Sequence, residues 1–137
     1  MATTKIQKEY LDDEVRVRRF AVRILDSATA LTTGTSKGGE YRISKEAITV
    51  LAVGAYLDTA ATGGTLTTID INEGGTTILS TKITLDASEK TSTTAATPAV
   101  ISDTSLAADA VITFDVDAIG NTTSGNGLVV WIDYQLA

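Results

Sequence analysis

Hydrophobic and polar positions alternate most cleanly between Asp109 and Leu136. Ile112, Phe114 and Val116 fall on one side of an extended chain and Val111, Thr113, Asp115 and Asp117 on the other, because successive strand side chains point to opposite faces. Farther on, Leu128, Val130, Ile132, Tyr134 and Leu136 oppose Val129, Trp131, Asp133 and Gln135. Both runs predict strands. The link between them is rich in Gly, Asn, Ser and Thr and ends in Asn126-Gly127, which predicts an antiparallel hairpin with a long polar tip. The pair holds the only Trp and one of the two Phe, so it is expected to bring large apolar area to the core.

Shorter runs of the same kind precede it. Apolar residues sit on odd positions at Val15 and Val17 but on even ones at Phe20, Val22 and Ile24, and a strand cannot change faces without a bulge or break. The first core strand is therefore expected to begin between Arg18 and Phe20. Residues 25–40 predict a loop in which Gly34, Gly38 and Gly39 take conformations other residues avoid, followed by a short strand at Tyr41-Arg42-Ile43. Ala47 to Tyr56 is apolar nearly throughout, as expected of a strand buried on both faces, with Gly54 marking close packing or a bulge.

Thr67, Ile69 and Ile71 share one face of the next strand, and the sequence turns at Thr62-Gly63-Gly64-Thr65 and again at Asn72-Glu73-Gly74-Gly75. Leu79, Thr81, Ile83 and Leu85 line the strand after that. Thr91 to Thr94 suits an edge, Pro98 an edge or a strand start, and Ala99-Val100-Ile101 a brief strand. About eight strands at such spacing suggest an all-β sandwich or barrel.

Residues 1–14 precede any strand pattern. Thr4 and Gln7 have capping-box spacing and Ile6 and Tyr10 lie four apart, which allows one or two helical turns. So short a helix is marginal alone, so residues 1–19 read as an arm ordered by a partner and residues 20–137 as one domain.

Composition narrows the functional classes. The chain has 137 residues, no Cys and no His, so disulfides, thiolate metal sites and the commonest general base and metal ligand are missing from its chemistry. No apolar stretch approaches the ~20 residues of a membrane span and no signal-peptide pattern opens the sequence, which predicts a soluble protein without a membrane partner. The net charge of −6 is unevenly spread: residues 1–45 carry nine Lys/Arg against six Asp/Glu, and residues 46–137 two against eleven. A contacting first segment and a solvated acidic body fit that division.

Candidate chemistry is sparse. Arg16, Arg18, Arg19 and Arg23 cluster where the strand pattern shifts, but Asp12, Asp13 and Glu14 adjoin them and no aromatics alternate with them, unlike a nucleic-acid surface. Pairing with carboxylates of another chain suits them better. Asp115, Asp117 and Gly120 match the start of a calcium loop, yet Ile119 stands where an oxygen ligand is needed and Asn126 where the bidentate Glu belongs. Asp115 with Asp133 is a conceivable carboxylate pair for hydrolysis, and Trp131 with Tyr134 or Tyr56 a conceivable sugar platform. The paired glycines at 38–39, 63–64 and 74–75 lack the sequence of a phosphate-binding loop, and no cofactor is expected.

Several longer runs carry a resemblance: F-A-V-R-I-L-D-S-A-T-A-L-T-T-G from Phe20, V-G-A-Y-L-D-T-A-A-T-G-G-T from Val53, I-L-S-T-K-I-T-L-D-A-S-E-K from Ile78, and L-A-A-D-A-V-I-T-F-D-V-D-A-I-G from Leu106 with G-L-V-V-W-I-D-Y from Gly127. Over residues 20–136 the sequence resembles small jelly-roll structural proteins of tailed bacteriophages, which are capsid cement (decoration) proteins or domains of head and tail fibres. The resemblance implies a jelly-roll-like antiparallel β-sandwich with an extended N-terminal arm. It also implies a non-enzymatic dimer or trimer on the outer surface of the virion head that bridges major capsid protein subunits. Ile6, Tyr10, Leu11, Arg16, Arg18, Arg19 and Arg23 are the expected capsid or subunit contacts. The alternative it leaves open is a fibre or baseplate component that binds host glycans.

Overall fold

The computed structural model describes residues 16–137; the expected arm residues Ile6, Tyr10 and Leu11 lie outside that range. Ten strands form: β1 (Arg18–Ala30), β2 (Ile48–Tyr56), β3 (Thr67–Glu73), β4 (Thr76–Thr77), β5 (Leu79–Thr81), β6 (Ile83–Leu85), β7 (Val100–Ile101), β8 (Ser105–Leu106), β9 (Ile112–Ala118) and β10 (Asn126–Leu136), with one 3-10 turn at Ser92–Thr94. All ladders are antiparallel. One sheet runs β1-β10-β2-β8; in the other β3 pairs β9 on one edge and β4 and β6 on the other, while β5 pairs β7 in a separate two-stranded ladder.

The fragments merge into eight segments. Segment 34–41 joins β9 through bridges Gly34↔Val116 and Tyr41↔Ile112, β4 to β6 follow one another, and so do β7 and β8. Numbered along the chain, the first sheet then has the order 1-8-3-6 and the second 2-7-4-5. That is the connectivity of a jelly roll, in which consecutive segments, all but 4 and 5, cross between two facing sheets. The chain is an all-β antiparallel sandwich, as its strand spacing predicts.

Alternation assigns the inward faces correctly. Ile69, Ile71, Ile83, Phe114, Val130 and Ile132 are all fully buried, with Leu85, Ile112 and Leu128 nearly so, and each such side chain contributes roughly 1.5–3 kcal/mol relative to exposure. Tyr41 links the layers: its ring lies 6.0 Å from that of Phe20 on β1 and 5.5 Å from that of Phe114 on β9, and its hydroxyl donates to Gly38 O at 2.9 Å. Gly74 and Gly75, both at positive φ, close the two-residue turn between β3 and β4, as the turn chemistry requires.

Four expectations need correction. The runs from Asp109 to Leu136 are strands but not a hairpin: β9 pairs β3, and β10 lies between β1 and β2. Residues 119–125 carry the chain from one sheet to the other, bonded to Thr62 through Thr62 N–H to Thr123 O and Thr122 N–H to Thr62 O at 3.0 and 3.1 Å. Both runs bury one face, and that face is shared by stacking across the core rather than by pairing side by side.

The second correction is that β1 continues to Ala30 through two register shifts where a loop was expected. Third, β2 is not buried on both faces. A bulge opposite Asp133 and Tyr134 leaves Leu51 outside the ladder and 42% exposed, although β2 does lie inside its sheet, between β10 and β8. Trp131 is the fourth. It stands on the outward face of β10, half-buried, because it alternates with the fully buried Ile132. Gly54 makes room for it: a side chain there would put its first carbon 2.2 Å from Trp131 Cζ2.

Candidate functional site

The outward face of the β1-β10-β2 sheet carries two arginine–carboxylate pairs and the Trp131 ring. Arg19 stands directly opposite Asp133 in the register and donates from Nε and Nη2 to its two carboxylate oxygens at 2.6 and 2.9 Å, a bidentate geometry that fixes the guanidinium plane. That plane lies 4.2 Å above the Trp131 ring, within cation–π range. Arg23 reaches across β10 to Asp58, at 2.5 and 3.4 Å from its two oxygens, and also donates to Leu25 O at 3.1 Å. The carboxylates that meet these two arginines thus belong to their own chain. Arg16 is exposed and Arg18 half-buried opposite Tyr134.

Both arginine side chains are about half exposed, so solvent screens the pairs and each adds little to stability. Their electrostatics still have a sign. The hydrogen bond from Arg19 holds the Asp133 carboxyl below the usual carboxylate range, and that from Arg23 does the same for Asp58. A carboxyl depressed in the folded state binds fewer protons there than in the unfolded chain, so its contribution is present above about pH 3.9 and is lost as pH falls through the folded value. Unfolding midpoints in urea should therefore fall as pH drops from 5 to 2, and Asp133→Asn should flatten that dependence; an unchanged slope would show the pair contributes nothing.

Beside Trp131 the sheet opens into a groove of about 600 Å³, whose lining includes Leu51, Val53, Pro98, Ala99, Val100 and Trp131. Leu51 and Val100 are among the most exposed large apolar residues, at 42% and 50%. The groove exists because the edge of β2 away from β10 is only partly covered. β8 pairs Ile48 and Thr49, Val50 N–H bonds Thr104 O, Ala55 N–H bonds Ser92 Oγ, and Leu57 N–H bonds Lys90 O, at 2.8, 2.9 and 2.8 Å. Among the described residues, no backbone group bonds this edge over Leu51–Val53. An edge left unbonded by the described residues, beside an apolar trough, has the geometry that accepts an added strand.

The acids considered for chemistry are placed otherwise. Asp115 and Asp133 lie on outward faces of opposite sheets, because their neighbours Phe114, Val116 and Ile132 face the core; they do not converge. Asp115 accepts from Ser36 N–H and Asn72 Nδ2 at 2.8 and 3.0 Å. Asp117 pairs with Lys82, which also approaches the buried Asp70 at 3.3 Å. The hydrogen bond to Asp117, with the charge of Asp70, raises the Lys82 ammonium above its ordinary range. Among the described residues no group of three or more His, Cys, Asp or Glu is placed to hold a metal, and no helix is long and apolar enough to cross a membrane.

Sequence reasoning expected Arg19 and Arg23 to meet carboxylates of another chain, whereas their partners are Asp133 and Asp58 of the same chain, and it missed the groove. A signal existed for the groove. The run Val50-Leu51-Ala52-Val53 breaks alternation, which marks the bulge that turns Leu51 outward.

The sequence matches no family profile. It matches no curated protein either. In structure, the chain is similar to the crystal structure of the Drosophila NLP core, described as providing insight into pentamer formation and histone binding, at 14% identity over 89% of this chain and 98% of that one, with a TM-score of 0.43.

Proposed function

We infer that this chain is a non-enzymatic structural protein of a tailed-phage virion that acts as a capsid cement protein. It would sit on the outer surface of the assembled head and bridge major capsid protein subunits. The observation that carries this reading is what the surface leaves open. Charged groups on the outward face of the first sheet are held in ion pairs within the chain, while the accessible feature is an apolar groove beside an open strand edge. Such a surface fits protein. The sequence resemblance to jelly-roll phage structural proteins supports the same reading.

A ligand that binds only the assembled lattice adds its binding free energy to the stability of that lattice, about 2.7 kcal/mol per site when its free concentration is a hundred times Kd. Many weak copies then reinforce a pressurised shell. The glycan-binding reading is less well supported because the guanidinium of Arg19, clamped by Asp133, already covers the Trp131 ring, so a sugar has no free indole face to stack on. Cryo-electron microscopy of the particle tests the proposal. Density for this domain repeated over the outer head surface is expected; density confined to a fibre or baseplate would overturn it.

A further inference from the structure

We propose that the groove beside Trp131 takes a short extended segment of another protein, a few uncharged and mostly apolar residues lying as a strand between β2 and β7. This rests on the cement reading, in which that protein is the major capsid protein, and names the kind of segment the domain grips.

The groove is a fork between two stretches of this chain. Up to Val50 they are zipped together: β8 pairs Ile48 and Thr49, and Val50 N–H bonds Thr104 O at 2.8 Å. Beyond that point they part. On one side β2 bulges at Leu51; on the other, the N–H groups of Ser102 and Asp103 both bond Ile78 O, at 2.9 and 3.1 Å, and the chain beside them pairs with β5 as β7. The fork closes again where Ala55 N–H meets Ser92 Oγ.

Each wall therefore has a strand edge that the described residues leave unpaired: β2 over Leu51–Val53, and β7, which pairs β5 alone. The open stretch of β2 is about 10 Å long, the length of roughly three extended residues. Main-chain groups repeating along both walls match an extended backbone.

The lining decides which side chains fit. None of the residues around the groove is charged, and the hydroxyls of Thr84, Ser92 and Thr93 are engaged within the chain. A charged side chain or chain end seated there would lose its water and gain no partner, whereas an apolar one covers the exposed Leu51 and Val100. Residues 5–14 of a second copy do not qualify, since no three consecutive residues among them are uncharged.

Co-sedimentation of the full-length chain with purified capsids, joined to hydrogen exchange of the bound chain, tests this. Leu51→Asn is expected to bind capsids roughly tenfold more weakly or worse, with its urea midpoint unchanged, while Thr76→Asn at the β3–β4 turn binds as the unaltered chain does. The factor for Leu51→Asn should be the same at low and high salt, because the contact involves no charge. On the capsid, the amides of Leu51 and Val53 should exchange roughly tenfold more slowly than in the free chain. Unaltered affinity of Leu51→Asn, a factor that shrinks with salt, or unchanged exchange at Leu51 and Val53 in chain that does bind would each overturn the docking site and leave the cement reading standing. Chain that does not bind capsids at all overturns both.

Discussion

Phe114→Ala is expected to destabilise the domain by about 3–5 kcal/mol, the range for removing a buried aromatic side chain. Phe114 is fully buried on β9 and its ring meets Tyr41, which in turn meets Phe20. The truncation therefore opens a cavity where segment 34–41 and both sheets converge, and neighbours on three strands would have to move together to fill it. Set against a typical stability of about 5–15 kcal/mol, the loss is large enough to halve the urea midpoint. Phe114→Leu keeps most of the volume and should cost about 1 kcal/mol, while Thr76→Ala at the exposed β3–β4 turn should stay within about 0.5 kcal/mol. Equilibrium urea unfolding followed by Trp131 fluorescence gives all three. A Phe114→Ala midpoint matching that of Thr76→Ala would mean the jelly-roll core is not centred where it is described here.

Much of the fold could be read from the sequence because burial in a sandwich is written at period two. Ile112, Phe114 and Val116, or Leu128, Val130 and Ile132, announce their inward face without any knowledge of their neighbours. Pairing is not written that way. The same alternation is produced by two strands side by side and by two strands stacked across a core, which is why the Asp109 to Leu136 runs read as a hairpin and fold as members of opposite sheets.

The groove was hidden for a related reason. An unbroken apolar run such as Ala47 to Tyr56 does not show that β8 pairs it only at Ile48 and Thr49, which leaves the rest of that edge partly uncovered among the described residues. The arginines were visible as a cluster, but the acids that engage them, Asp58 and Asp133, are 35 and 114 positions away in sequence. Nothing local predicts such a meeting.

Deleting residues 1–14 is expected to leave the domain folded and to abolish its binding to capsids. The deletion ends before β1, and no strand of the described fold begins earlier than Arg18. It removes Ile6, Tyr10 and Leu11, the apolar side chains assigned to contact. Urea midpoints within about 0.5 kcal/mol of the full chain would show that the loss is one of binding and not of folding.

Co-sedimentation with purified, DNA-emptied capsids puts the central claim, that this chain works by fitting against assembled protein, to the most direct test. The account predicts saturable binding of the full chain to assembled shells at a fixed ratio to the major capsid protein, with no binding to unassembled capsid subunits and none by the 1–14 deletion. Full-length chain that stays in the supernatant, or that binds free subunits as well as shells, would contradict it.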